Sequence, residues 1–349
     1  MSSNTGLIPC PNLQDNLIQH FGDCDMTQLR EPVGALEFLV SSANTNGVLQ
    51  RQVSPGNGKK RTVELVYQNR ILESAVSTSL TRTCTSTTKD SEEMQPYEVG
   101  NTGVSIDRMI DAVDLITKCE DDSMYYARQV QMWMDALIRK MDTQVVAGVN
   151  ALTGKFPVGS TNVTGEIKTI QTKFAAALGG AYNPQGMADV AFASVNSGFC
   201  GKPVILGWEN VWQYAQFLES GCCSQSGLDV AAYHAKMGWA MVGDYRVTDL
   251  LGANSFLVLD PGAAQLIWFN EFAGPRGIRT IDTETDKQYV IQDPATGIPF
   301  DFSATFDCGK WHFQMKLAFK VVGRPQDLFA VGDRLNGVTG VQEYVITNT

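Results

Sequence analysis

One stretch limits the folds open to this chain more than any other: Ser123–Asn150, SMYYARQVQMWMDALIRKMDTQVVAGVN. Apolar side chains recur at Tyr126, Val130, Leu137, Met141, Val145 and Val149, with Trp133 and Met134 in the turn between. Steps of three and four residues hold these on one side of an α-helix, and Val130, Leu137, Met141 and Val145 are the expected centre of its core stripe. Asp135, Arg139 and Asp142 are expected on the solvent side, where opposite charges one turn apart attract. Asp121 and Asp122 precede the first turn, where negative charge suits the helix dipole, and Gly154 is available to end the helix. No Pro or Gly interrupts the run before Gly148. At about 1.5 Å per residue it makes a rod of roughly 40 Å. By itself such a rod reads as a long core helix.

A helix with an apolar stripe needs an apolar surface to cover it, and the last third of the chain supplies one. Ile298, Phe300, Phe302, Ala304 and Phe306 alternate with other residues. After Asp307-Cys308-Gly309-Lys310 the alternation resumes at Trp311, Phe313, Met315, Leu317, Phe319 and Val321. The positions between (His312, Gln314, Lys316, Ala318, Lys320) form the opposite face. Two long strands, each with one apolar face and joined by a tight Gly-containing turn, predict an antiparallel hairpin. Its apolar face is the natural partner of the helix stripe.

The remaining segments carry shorter signals. Residues 1–44 are expected to form an arm that orders only against something else, with apolar patches at Leu13–Phe21 and Leu36–Val40. Gly47–Val53 and Thr62–Tyr67 flank the turn signal Ser54-Pro55-Gly56-Asn57-Gly58 and read as a hairpin with a basic tip at Lys59, Lys60 and Arg61. The tip lacks the residue order of a P-loop. It is a solvated turn or a docking point for an acidic neighbour. Ser77–Thr88 reads as an extended edge or contact strand, closed by Asp90–Glu93 and Pro96. Ser105 is expected to cap a helix over 106–118 with Ile110 and Val113 inward, and a further helix is expected over 165–178. Between Met187 and Phe272, strands are expected at Asp189–Ala193, Pro203–Leu206, Tyr245–Thr248 and Ser255–Leu259. Helices are expected from Glu209 through Leu218, at Leu228–Met237 and over 260–268, which makes a mixed α/β block. Leu328–Thr349 reads as short extended segments between glycines.

Chemistry is hard to find in this chain. The formal charge of −10 over 349 residues argues against a dedicated nucleic-acid binder, which needs a basic surface, but not against a protein that merely encloses nucleic acid. Eight cysteines are scattered without a C-x-x-C pair, so neither a zinc site nor a thioredoxin-like motif is supported, and Cys222-Cys223 is expected to be buried packing. His20, His234 and His312 lie in no metal or triad pattern. The motifs G-x-S-x-G, H-E-x-x-H and strand-following G-x-G-x-x-G are missing. There is no secretory signal and no apolar run long enough for a bilayer, so reduced thiols are expected and the Asn162-Val163-Thr164 sequon carries no weight. The expectation is therefore no catalytic residue, no bound cofactor and no metal.

The order of elements, with local textures such as GKPVILGWENVWQY and LVLDPGAAQLIWF, resembles the major capsid protein of tailed bacteriophages. That family has the Johnson (Hong Kong phage-type) shell fold, shared with encapsulins. The resemblance implies an α+β fold with residues 1–44 as N-terminal arm and 45–104 as the extended loop and its following strand. It makes 105–186 the peripheral domain with the spine helix, 187–275 the axial domain, and 276–349 the return to the peripheral sheet and the C-terminal tail. It implies a non-enzymatic subunit that self-assembles as pentamers and hexamers into an icosahedral shell around double-stranded DNA. Implied partners are copies of itself, a separate scaffolding protein, since the family's precursor segment is not matched here, and a decoration protein in some shells. Membranes are not among them. The implied location is the virion, with assembly in the host cytoplasm. Lys59, Lys60 and Arg61 would contact a neighbouring subunit. Some members crosslink a loop lysine to an asparagine; no asparagine here matches a motif, so no crosslink is expected. An encapsulin-like compartment shell and a soluble enzyme with an unrecognised site are the alternative readings, and the long helix disfavours a tail or adhesion protein.

Overall fold

The computed structural model describes residues 31–46, 55–56, 60–68, 92–99, 102–111, 122–171, 185–200, 203–209, 240–274, 277–278, 281–324, 326 and 332–347. In chain order the elements are α1 (Gly34–Asn46), β1 (Pro55–Gly56), β2 (Lys60–Gln68), β3 (Glu92–Glu98), β4 (Gly103–Asp111) and α2 (Asp122–Asn150). Next come β5 (Val163–Thr164), β6 (Ile167–Ile170), α3 (Gln185–Asn196), β7 (Val204–Gly207), β8 (Ala240–Gly243), α4 (Tyr245–Leu251) and β9 (Ser255–Leu259). The last are β10 (Ala264–Phe269), β11 (Ala273–Gly274), β12 (Gly277–Ile278), β13 (Ile281–Asp282), β14 (Asp286–Gln292), β15 (Pro299–Asp307), β16 (Lys310–Gly323) and β17 (Val341–Ile346).

The alternating run of the last third forms the hairpin it predicts. β15 and β16 pair antiparallel from Asp301↔Lys316 to Asp307↔Lys310. The two linking residues, Cys308 (φ 49°) and Gly309 (φ 78°), both have positive φ, as a type I′ turn demands. β16 is the centre of a six-stranded sheet ordered β10-β16-β15-β14-β13, with β4 also on β16. β4 pairs along Lys310–Ala318 and β10 along Ala318–Gly323.

Helix α2 lies on the apolar face of this sheet. Val130, Leu137, Met141 and Val145 are all buried in one core with Phe302, Phe313, Met315 and Leu317. The Phe313 ring sits 5.8 Å from Tyr126 and 5.4 Å from Trp133. Each large apolar side chain removed from water here contributes about 1.5–3 kcal/mol. Gly148 lets the helix end close on β16, because a Cβ there would stand 2.8 Å from Cβ of Val321.

A second six-stranded sheet, ordered β5-β6-β17-β9-β7-β8, has its own core of Phe156, Ile170, Val190, Ala193, Ile205, Phe256, Val258 and Tyr344. The Tyr344 ring stacks on Phe256 at 5.4 Å and meets Phe156 edge-on at 5.4 Å. The C-terminal extended segment is thus a central strand of this sheet. Beneath it the side-chain amide of Gln342 donates to Ser197 Oγ at 2.6 Å, while Tyr344 OH donates to the Gln342 carbonyl at 3.1 Å.

Several expected elements take another form. The segment predicted as a helix from Ser105 is strand β4. Ile106 and Ile110 are four apart, a spacing that both periods allow, and nine residue pairs with β16 decide for the strand. Ile167–Ile170, expected to begin a helix, is strand β6 behind a turn with Asn162 at φ 58° and Gly165 at φ 64°. Asp189–Ala193, expected to be a strand, lies inside helix α3, which buries Val190, Ala193 and Ser194 and leaves Phe192 and Val195 exposed. Tyr245–Thr248 is helical too, because Asp244 caps α4 by accepting from Arg246 N. The helix expected over 260–268 is a turn followed by β10. Pro96 does not end a strand but sits in β3 opposite Glu64, and β3 is the edge strand, the place where a sheet accepts proline. Within the expected arm, Leu36–Val40 belongs to α1, whose Leu36 and Leu39 are buried against α2. The patch Leu13–Phe21, the segment Gly47–Val53, the strand Ser77–Thr88, the helices over 210–218 and 228–237 and the pair Cys222-Cys223 lie outside the described residues.

Candidate functional site

The start of α1 shows how the chain ties three distant segments together. The first N–H groups of any helix have no partner within it. Here they are satisfied from other elements: Ala35 N donates to Asp244 Oδ2 at 3.0 Å, and Leu36 N donates to Asp142 Oδ1 at 2.9 Å. Carboxylates at a helix N-terminus also sit at the favourable end of its dipole. Asp142 comes from the middle of α2, and Asp244 is the cap of α4. Both are fully buried at 0% exposure. Close approach is secured by Gly34, where a Cβ would stand 2.4 Å from the Gly243 carbonyl oxygen.

Arg246 lies between these acids at 6% exposure. Its Nη1 donates to Asp142 Oδ2 at 2.7 Å and to the Pro32 carbonyl at 3.0 Å, and lies 3.6 Å from Asp244 Oδ1. Its Nη2 reaches Glu31 Oε2 at 3.3 Å, and its guanidinium lies 4.5 Å from the Tyr245 ring centre. At the solvent rim, Tyr245 OH donates to Glu31 Oε2 at 2.6 Å and Arg139 Nη1 to Glu31 Oε1 at 3.4 Å. The Tyr245 hydroxyl is the chief cause that holds Glu31 below the usual carboxylate range, with Arg139 and Arg246 adding to it. Burial, and then the neighbouring Asp244 carboxylate, push Asp142 the other way, up to about 8.

Asp142, expected on the solvent side, is buried, while Asp135 and Arg139 form the expected one-turn ion pair at 3.1 Å. The overlooked signal is a second stripe on α2, with Ala127, Gln131, Met134, Ile138, Asp142 and Val146 all buried. Asp142 stands one turn from both Ile138 and Val146, so its row on the helix is an apolar one. Asp244 just before an apolar turn is the readable mark of a helix cap.

The basic hairpin is the second feature. β1, β2 and β3 form a three-stranded sheet, with Pro55 opposite Arg61 and Gly56 opposite Lys60. Lys60 and Arg61 therefore open strand β2 by backbone register, whereas Lys59 lies outside the described residues. The hairpin is rooted in the first sheet: Tyr97 OH donates to the Gly323 carbonyl at 2.7 Å, and Val99 is buried with Ile267 and Val322. Of the remaining residues considered, His312 is exposed opposite Thr305 and Met109, and Cys200 and Cys308 are exposed free thiols. Among the described residues no group of three or more His, Cys, Asp or Glu could hold a metal ion, and no helix is long and apolar enough to cross a membrane.

No family model matches the sequence, and no curated protein does. Solved structures do match. A chain of the cyanophage A-1(L) capsid asymmetric unit is 11% identical at a TM-score of 0.53, over 93% of this chain and 95% of that one. Chains of Mycobacterium phage Cain and Mycobacterium phage Adephagia, each 11% identical, reach TM-scores of 0.49 and 0.48. They cover 93% and 94% of this chain and 94% of each phage chain. The cyanophage match, end to end on both chains, carries the assignment: the fold is the α+β fold of a phage capsid subunit, the Johnson (Hong Kong phage-type) shell fold.

Proposed function

We propose that this chain is the major capsid subunit of a tailed bacteriophage, assembling as pentamers and hexamers into an icosahedral shell around double-stranded DNA. The observation that carries the reading is a fold shared along nearly the whole length of a chain from a cyanophage capsid. The role is mechanical. The sheet under α2, to which β10 comes from the expected axial stretch 187–275, is the peripheral body; the second sheet, which joins β7, β8 and β9 of that stretch to β5, β6 and β17 from outside it, is the axial body that meets its copies around the symmetry axes; and the hairpin rooted at Gly323 reaches a neighbour. Each subunit touches several others, so modest contacts add up to cooperative closure. No step of this role calls for catalysis or a cofactor. A separate scaffolding protein sets the curvature, the DNA is enclosed without sequence-specific grip, and the product is the virion, put together in the host cytoplasm.

Lys59, Lys60 and Arg61 supply the charge contact of the hairpin, docking on acidic surface of the next subunit. Reversing all three to Glu is expected to leave the circular dichroism spectrum and melting temperature of the subunit unchanged while assembly, followed by light scattering with scaffold supplied, slows and stops at free capsomers. Normal shell formation by that variant would remove the hairpin tip from the account.

A further inference from the structure

Helix α1 is seated on two carboxylates that no solvent reaches, and among the described residues their charges do not balance. Asp142 and Asp244 are both fully buried, and the buried cation they share is Arg246. Arg246 is divided further, since it also holds Glu31 and the Pro32 carbonyl. Arg139 stands at the rim, where it is committed to Asp135 and Glu31. α4 supplies Arg246 itself and the neutral Tyr245, which donates to Glu31 rather than to the buried pair. From α1 the pair meets two backbone N–H groups, and the helix's first-turn acid, Glu37, is exposed. With both acids ionised the buried group carries excess negative charge, and two like charges at one dry site are costly. A proton on Asp142 removes the excess, and Ala35 N and Leu36 N each keep a carboxyl oxygen to donate to.

We propose that Asp142 and Asp244 form a proton-dependent latch that seats the Gly34–Asn46 helix between the long helix and the second sheet, closed while the pair holds one proton and opened when it loses it. The latch is a conformational device beyond the shell-building role, and it acts within one subunit. Its sign follows from the carboxyl of Asp142, whose proton affinity is raised in the docked state by burial and by Asp244. A raised folded value means that the contribution is fully present below the ordinary carboxylate range and is lost progressively as pH rises from there to about 8. Opening would free α1 while both sheets stay folded.

The test is amide hydrogen exchange on the full chain as dissociated subunits, so that a failure to build shells does not affect the result. From about pH 5 to about pH 8, with base catalysis corrected, protection of the Ala35–Leu39 amides should fall at least tenfold and then level off by about pH 9.5, while that of β16 holds steady. Asp142→Asn, neutral at every pH, should give a flat profile for the same amides. A flat wild-type profile, or a parallel fall in Asp142→Asn, would overturn the latch. If that variant does not fold, Asp244→Asn decides, since Asn still caps α4: a flat profile supports the pairing of the two acids, and an unchanged pH dependence overturns it.

Discussion

The two sheets have the same number of strands, six each, and differ in the balance of apolar and polar contacts that hold them. The first is covered by α2 over an extended apolar core, from Tyr126 and Trp133 to Phe302, Phe313 and Met315, to which Leu206, Leu257 and Val341 of the second sheet also belong, and its buried polar contacts include Asp301, which accepts from Glu271 N and Phe272 N. The second has a smaller apolar core, pinned by buried polar groups: Gln342 with Ser197 and Tyr344, and Asp260, whose Oδ1 accepts from Cys200 N at 3.0 Å. Extended apolar burial makes a body that tolerates no cavity but needs little directional bonding. Short strands and a short helix need hydrogen bonds of fixed direction to settle their register. A subunit that combines them has one stiff plate and one body whose geometry depends on a few polar contacts.

That contrast can be broken from either side. The largest effect is expected from Phe313→Ala, which opens a cavity beneath Tyr126 and Trp133 and should cost about 3–5 kcal/mol in urea unfolding. A loss below about 1 kcal/mol would mean that the plate repacks freely. A smaller effect is expected from Gln342→Ala, which removes the side-chain amide that bridges Ser197 Oγ and Tyr344 OH. It should cost about 1–3 kcal/mol. The loosening should appear as faster hydrogen exchange in β17 and β9 with β16 unaffected, and uniform acceleration in both sheets would deny that they are distinct bodies. The smallest effect is expected at the rim: Arg139→Ala removes half-exposed ion pairs with Asp135 and Glu31 and should cost about 0.5 kcal/mol or less. A cost comparable to the Gln342 variant would move Arg139 from the rim into the junction proper.

The same contrast governs what the residues disclose on their own. The long periodic runs read correctly: the α2 stripe at Val130, Leu137, Met141 and Val145 is buried, and the Phe302 and Phe313 rows face it. Such runs hold enough repeats to separate a period of two from one of 3.6. Short segments do not. Ile106 and Ile110 suit either period, and the pairing with β16 decides. The apolar run at Val190–Ala193 has no alternation, and only its neighbours show that it is a helix with Phe192 and Val195 outward at 74% and 76% exposure. The buried junction was the least legible part, because it joins residues 31, 142, 244 and 246 across more than 200 positions of chain. Asp142 is one acid among the exposed charges of a helix until α1 and α4 are packed around it. Its apolar row and the cap signal at Asp244 mark the two halves, but nothing local says that they meet.

The proposed role requires that this chain build shells. Size-exclusion chromatography and negative-stain microscopy of the purified full chain, with a scaffold supplied, test it most directly. The prediction is closed shells tens of nanometres across, as expected for about a few hundred subunits in a cooperative closed assembly, or free pentamers and hexamers. A stable monomer or dimer at high concentration would contradict it.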